Sequence, residues 1–95
     1  MAASLAGCRD STTLSAAAER GRQIYLAQCT ACHNMDPAQP GAVGPALKGA
    51  SREVIEAKVV HGTYPLGYTP KRPTKVMQPI PAAAGDVAAL AEYLK

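Results

Sequence analysis

The chain has 95 residues, a formal net charge of +3 and three cysteines. That length predicts one domain. The mild positive charge is too small to mark a nucleic-acid binder, and no stretch approaches the apolar length of a membrane span. Apolar residues make up 47%, but Trp and Phe are absent and much of the count is alanine. Side chains alone therefore make a thin core, and a staple or bulky cofactor is expected to fill it.

In chain order, residues 1–14 read as a flexible N-terminal segment and 15–95 as the folded domain. The first helix is predicted from about Ser15 to Cys32. Leu14, Ala17, Ala18, Gly21, Ile24, Tyr25 and Cys29 recur at three- and four-residue steps and make one face. Residues 33–50 hold Pro37, Pro40, Gly41, Gly44, Pro45 and Gly49, so an irregular loop is expected. A second helix is predicted from Ser51 to His61, with Ser51 as N-cap, Glu53 in the first turn and Gly62 as the stop. Five prolines between residues 62 and 85 argue against regular structure there. A last helix is predicted from about Asp86, its cap, to Leu94, with Val87, Leu90, Ala91 and Leu94 as its stripe. No strand alternation is visible, so the fold class is all-α.

The chemistry sits at Cys29-Thr30-Ala31-Cys32-His33. This is C-x-x-C-H, the attachment signature of c-type haem. Residues three apart on a helical turn share a face. Both thiols can then meet the two vinyl groups on one porphyrin edge, and His33 follows beneath the iron. Two other readings compete. A redox dithiol fits C-x-x-C but wants a βαβ context. A structural zinc module would recruit Cys29, Cys32, His33 and His61, with adjacent Cys32 and His33 on one ion, unlike the usual spaced pairs.

For the second face of the iron the sequence offers Met77, in the Pro-rich segment and off any helical stripe. A thioether suits haem iron, and His/Met ligation raises the reduction potential. A gap-filling methionine is the bland alternative. His61 is the rival ligand, giving bis-His ligation; its bland role is a solvated residue at a helix C-terminus. Met35 is tied to the same side as His33.

These residues resemble class I c-type cytochromes, the small bacterial monohaem proteins, over about residues 16–95. Gly21-x-x-x-Tyr25-x-x-x-Cys29-x-x-Cys32-His33 is similar to that family's first helix, Gly44-Pro45-Ala46-Leu47 to its Gly-Pro-x-Leu segment, and Leu90-x-x-Tyr93-Leu94 to its last helix. The resemblance implies three to four helices wrapped around one covalent haem, with the first and last helices crossing. Gly21 would allow their close approach, and Tyr25 would pack on Leu90 and Tyr93. The Pro45 carbonyl would accept from Nδ1–H of His33. Tyr25, Leu47, Ile55, Val59 and Ile80 would line the haem pocket. Tyr64, Tyr68, Lys71 and Arg72 would meet the propionates or serve as loop packing. Many relatives follow the methionine directly with proline; here Gln78 intervenes before Pro79.

Leu5-Ala6-Gly7-Cys8 resembles a bacterial lipobox. Only seven residues precede Cys8, too few for a signal's charged start and apolar core, so a longer natural start is expected. Cys8 is read as a candidate lipidation site that would hold the protein at the membrane, or as an incidental free thiol. Haem attachment of this type implies export, to the periplasm or the outer side of the cytoplasmic membrane.

The expected function is electron transfer between respiratory or periplasmic redox proteins. Lys48, Arg52, Lys58, Lys71, Arg72 and Lys75 outnumber Glu53 and Glu56 between residues 48 and 75. They would steer a partner with an acidic surface, or simply form a solvated basic face. A haem enzyme or small-ligand sensor with an open iron position is the alternative; no distal His–Arg pair is evident.

Overall fold

The structure is a computed structural model that describes residues 14–72 and 76–95. The lipobox and Cys8, and Lys75 of the basic stretch, lie outside the described residues. Among those described, the regular structure is all helical.

Helix α1 spans Ala16–Gln28, and the Ser15 hydroxyl caps it by accepting from the Ala18 N–H at 3.0 Å. It ends earlier than the predicted Cys32. The Thr30 hydroxyl donates to the Leu26 carbonyl at 2.9 Å, taking the acceptor that a continuing helix would use. Residues 29–32 then form a turn closed on the Cys29 carbonyl, which accepts from Cys32 and His33 N–H at 3.3 and 3.0 Å. The predicted stripe also narrows. Ala18, Gly21, Tyr25 and Cys29 are buried, whereas Ala17 is exposed, and Leu14, which lies ahead of the Ser15 cap and outside the helix, is exposed too.

Helix α2 spans Arg52–Glu56 and is capped as predicted, with Ser51 Oγ accepting from the Val54 N–H at 3.2 Å. It continues as a π-helical turn over Ala57–His61 and stops at Gly62, whose φ of 70° is the left-handed conformation glycine tolerates. The widened turn lets the Thr63 N–H reach the Ala57 carbonyl at 2.9 Å.

Regular structure also occurs inside the segment where prolines argued against it. A 3-10 helix covers Pro81–Asp86, with proline at its start where a missing N–H does no harm. Helix α3 follows directly over Val87–Leu94. Asp86 precedes it but makes no capping bond. Its carboxylate instead pairs with the Arg20 guanidinium at 3.2 and 3.4 Å, because the 3-10 turn already delivers the chain into α3.

Helices α1 and α3 are the main packed pair. A Cβ on Gly21 would land on the Ala89 carbonyl, 2.6 Å from its carbon and 3.0 Å from the Leu90 nitrogen. Glycine is thus required by backbone contact between the helices. Tyr25 and Leu90 are fully buried at this junction, and the rings of Tyr25 and Tyr93 meet at 5.7 Å and 53°. Ile55, Val59, Ala83, Val87 and Leu94 complete a small core, with Leu47, Met77 and Ile80 packed against it.

Candidate functional site

The core is thin because its middle is a cavity of about 560 Å³, within the range of about 300–1,000 Å³ that ligand sites occupy. All three α-helices and both long loops contribute to its wall. Cys29, Cys32, His33 and Met77 all line it, as do Tyr25, Pro45, Leu47, Ile55, Val59, Tyr68, Arg72 and Ile80. His61 does not. It is exposed and borders a separate shallow depression with Glu53 and Glu56. The four residues of the zinc reading are therefore not brought together.

The geometry at the C-x-x-C-H turn follows from its neighbours. Cys29 is buried at the end of α1 and burial pushes its thiol up to about 11; Cys32 is exposed at the rim. Loop residues 41–47 fold back over the turn. The Cys32 carbonyl accepts from Val43 and Gly44 N–H at 3.2 and 2.8 Å. A Cβ on Gly44 would fall 2.7 Å from His33 Nε2, so the imidazole lies flat against glycine backbone.

His33 is 8% exposed. Its Nδ1 is 2.9 Å from the Pro45 carbonyl. A carbonyl only accepts, so Nδ1 carries a proton, and in the neutral ring the lone pair is then on Nε2. Tyr25 donates its hydroxyl to the Asn34 carbonyl, bracing the residue after His33. Its phenol is pushed up to about 12, first by burial and then by Cys29, Tyr93 and Asp36 nearby.

Met77 is half-buried, packed against the core. The Ile80 N–H donates to the Val59 carbonyl at 2.8 Å and anchors its segment. Lys71 and Arg72 line the cavity but spend their donors on the 41–46 loop. Lys71 Nζ donates to the Ala46 carbonyl at 2.9 Å, and Arg72 to the Val43 and Gly41 carbonyls at 2.8 and 3.2 Å.

Sequence reasoning missed Lys58. It is buried in the cavity wall, not part of a solvated basic face. The signal was available: Ile55, Lys58 and Val59 stand at i, i+3 and i+4. It also missed that Gly41 and Gly44 allow the loop to lie on the C-x-x-C-H turn.

A cavity of this size, edged by two thiols and faced by an imidazole with a free Nε2 and by a thioether, has the donor chemistry of c-type haem. The fold and site define a small class I c-type cytochrome. The comparisons agree. Residues 16–94 match the family model described as cytochrome c oxidase, cbb3-type, subunit III, and the chain belongs to that family. It is also 35% identical over 78 residues to a "Cytochrome c-553-like" protein of Synechocystis sp., covering 82% of this chain and 67% of the relative. No solved structure matches it. The protein is thus a monohaem electron-transfer cytochrome with one covalently bound haem c, and it exchanges electrons with redox protein partners. No helix among the described residues is long and apolar enough to cross a membrane.

Proposed function

We propose that Cys29 and Cys32 attach the haem, that His33 and Met77 are its axial ligands, and that the protein works as a carrier and not a catalyst. One observation carries this reading: both thiols, the imidazole and the Met77 thioether line a single cavity, while His61 borders another surface. When bound, the haem iron supplies a one-electron couple. Each of the Cys29 and Cys32 S–H groups would add across a vinyl C=C, forming S–C on one carbon and placing the hydrogen on the other, so attachment would need no oxidant. The His33–Pro45 bond holds the imidazole in one orientation and raises its basicity. Met77 offers a soft, neutral sulfur. Tyr25, Leu47, Ile55, Val59 and Ile80 keep water from the interior.

The docking surface belongs to the same proposal. Lys48, Arg52 and Lys71 are exposed, and Lys71 is itself part of the cavity wall. They favour a partner with an acidic face, effective mainly at low ionic strength. Export to the periplasm or the outer side of the membrane follows from covalent attachment, with acylation of Cys8 as an anchor.

Intact mass of native protein tests attachment and acylation together. A mass increase of one haem on residues 29–32 and an acyl adduct on Cys8 are expected. Colourless protein of unmodified mass would overturn the site. Rapid carbon monoxide binding by the reduced wild type would overturn the closed, carrier-type iron.

A further inference from the structure

Arg72 stands in the proline-rich loop that leads to Met77, and its planar guanidinium spans two carbonyls of the opposite loop. One terminal nitrogen donates to Val43 at 2.8 Å and the other to Gly41 at 3.2 Å. Lys71 Nζ adds a bond to the Ala46 carbonyl at 2.9 Å. Among the described residues, these three hydrogen bonds tie residues 64–72 to a distant part of the chain, whereas the Tyr68 N–H closes only the local turn on Pro65. A fork that meets two acceptors at once fixes an orientation as well as a distance, and a charged donor makes each bond stronger than a neutral one.

The receiving loop is the one that seats His33. The Gly41 N–H donates to the Gly44 carbonyl at 2.9 Å, so residues 41–44 form a closed turn. Its inner side has no room to shift toward the C-x-x-C-H turn: a Cβ on Gly41 would fall 2.7 Å from His33 Cα. Pro45, the next residue, accepts from His33 Nδ1. Residues 41–45 belong to no helix, so no helical ladder keeps them against the imidazole. The guanidinium holds them from the outer side.

We propose that Arg72 is a positioning residue for His33: its fork clamps the 41–44 turn onto the imidazole and fastens the loop of Met77 to the loop of His33. It acts through the backbone of Gly44 and Pro45. This rests on His33 being the iron ligand.

The test is native-state hydrogen exchange, read by NMR on reduced, diamagnetic holoprotein whose covalent adduct has been verified by mass. The Val43 and Gly44 amides and the His33 Nδ1–H report the turn; the Tyr25 and Leu90 amides report the helices. Arg72→Met keeps an unbranched apolar stem and removes the fork. The turn's reporters are expected to exchange about tenfold faster, with the helix reporters at wild-type rates. Arg72→Lys keeps the charge without the fork and should remain faster than wild type; full restoration would overturn the clamp. Arg52→Met, at an exposed arginine, should change nothing, and equal acceleration there would also overturn it. Wild-type exchange in Arg72→Met protein that carries the adduct overturns the clamp alone, and a shifted midpoint potential beside it would make Arg72 a partner of the haem carboxylates instead. Acceleration that extends equally to Leu90 overturns it as a general loss of stability. Wild-type protein without the adduct overturns the ligand reading of His33 and the clamp's role with it. Should Arg72→Met fail to mature, Arg72→Gln, whose short amide cannot span both carbonyls, is read in the same way.

Discussion

The Val59 carbonyl accepts the Ile80 N–H at 2.8 Å. In an α-helix that carbonyl would take the N–H of residue 63. The π-helical turn sends the Thr63 N–H to Ala57 instead, and Val59 is released to hold the segment that carries Met77. A local widening of one helix thus sets the position of a residue eighteen places further along.

Ile80→Pro removes that donor and leaves a carbonyl in the buried interior unpaired. Ile80 has φ of −121°, which proline cannot adopt without moving the chain. We expect a loss of about 3 kcal/mol in denaturant unfolding, together with a weakened Fe–S charge-transfer band in the oxidised protein. Wild-type values for both would detach Met77's placement from this bond.

Met77→Ala removes the thioether from the cavity wall. The expected outcome is loss of the Fe–S charge-transfer band and a fall in midpoint potential of at least about 59 mV, a tenfold change in the one-electron equilibrium. His61→Ala, on the exposed depression, should leave both unchanged. The opposite pattern would make His61 the ligand.

Gly21→Ala sets two effects against each other. The helix gains about 1 kcal/mol of propensity. The new methyl, however, meets the Ala89 carbonyl, which is backbone and cannot rotate away. Overpacking of this kind costs more than the gain, so a net destabilisation of about 2 kcal/mol is expected in guanidinium titration. A stabilised variant would mean the two helices separate freely.

Tyr25→Phe leaves the Asn34 carbonyl without its donor and should cost about 1–2 kcal/mol near neutral pH. The alkaline limb carries a second signature. Folding raises the Tyr25 phenol from 10.0 to about 12, so the folded state holds the proton more tightly than the unfolded chain. The associated stability is complete below pH 10 and is lost as pH rises toward 12. The wild type should therefore weaken across that window more steeply than Tyr25→Phe, measured by thermal unfolding of holoprotein at stepped pH. Parallel curves would remove the burial-driven shift from the account.

Much of the fold was legible in the residues. Ser15 and Ser51 are caps because a hydroxyl in that place bonds an orphan N–H wherever it occurs. Gly62 ends its helix because only glycine adopts a positive φ cheaply. The stripe Val87, Leu90, Leu94 follows from helical period alone. C-x-x-C-H, with its adjacent histidine, pointed to the cofactor, and together with Gly44-Pro45-Ala46-Leu47 and Leu90-x-x-Tyr93-Leu94 it was specific enough to name it.

Other features depended on partners distant in sequence. Asp86 reads as a cap, but Arg20 is close enough in space to claim its carboxylate. Lys58 reads as a surface charge until the second helix turns it into the wall beside Tyr64. Local spacing determined which atoms can bond the haem, since thiols, imidazole and thioether are chemically specific wherever they stand. Only the packed chain decided which of Met77 and His61 shares their cavity, because that depends on a backbone hydrogen bond from the Ile80 N–H to the Val59 carbonyl, and no short-range pattern encodes the meeting of two segments that far apart.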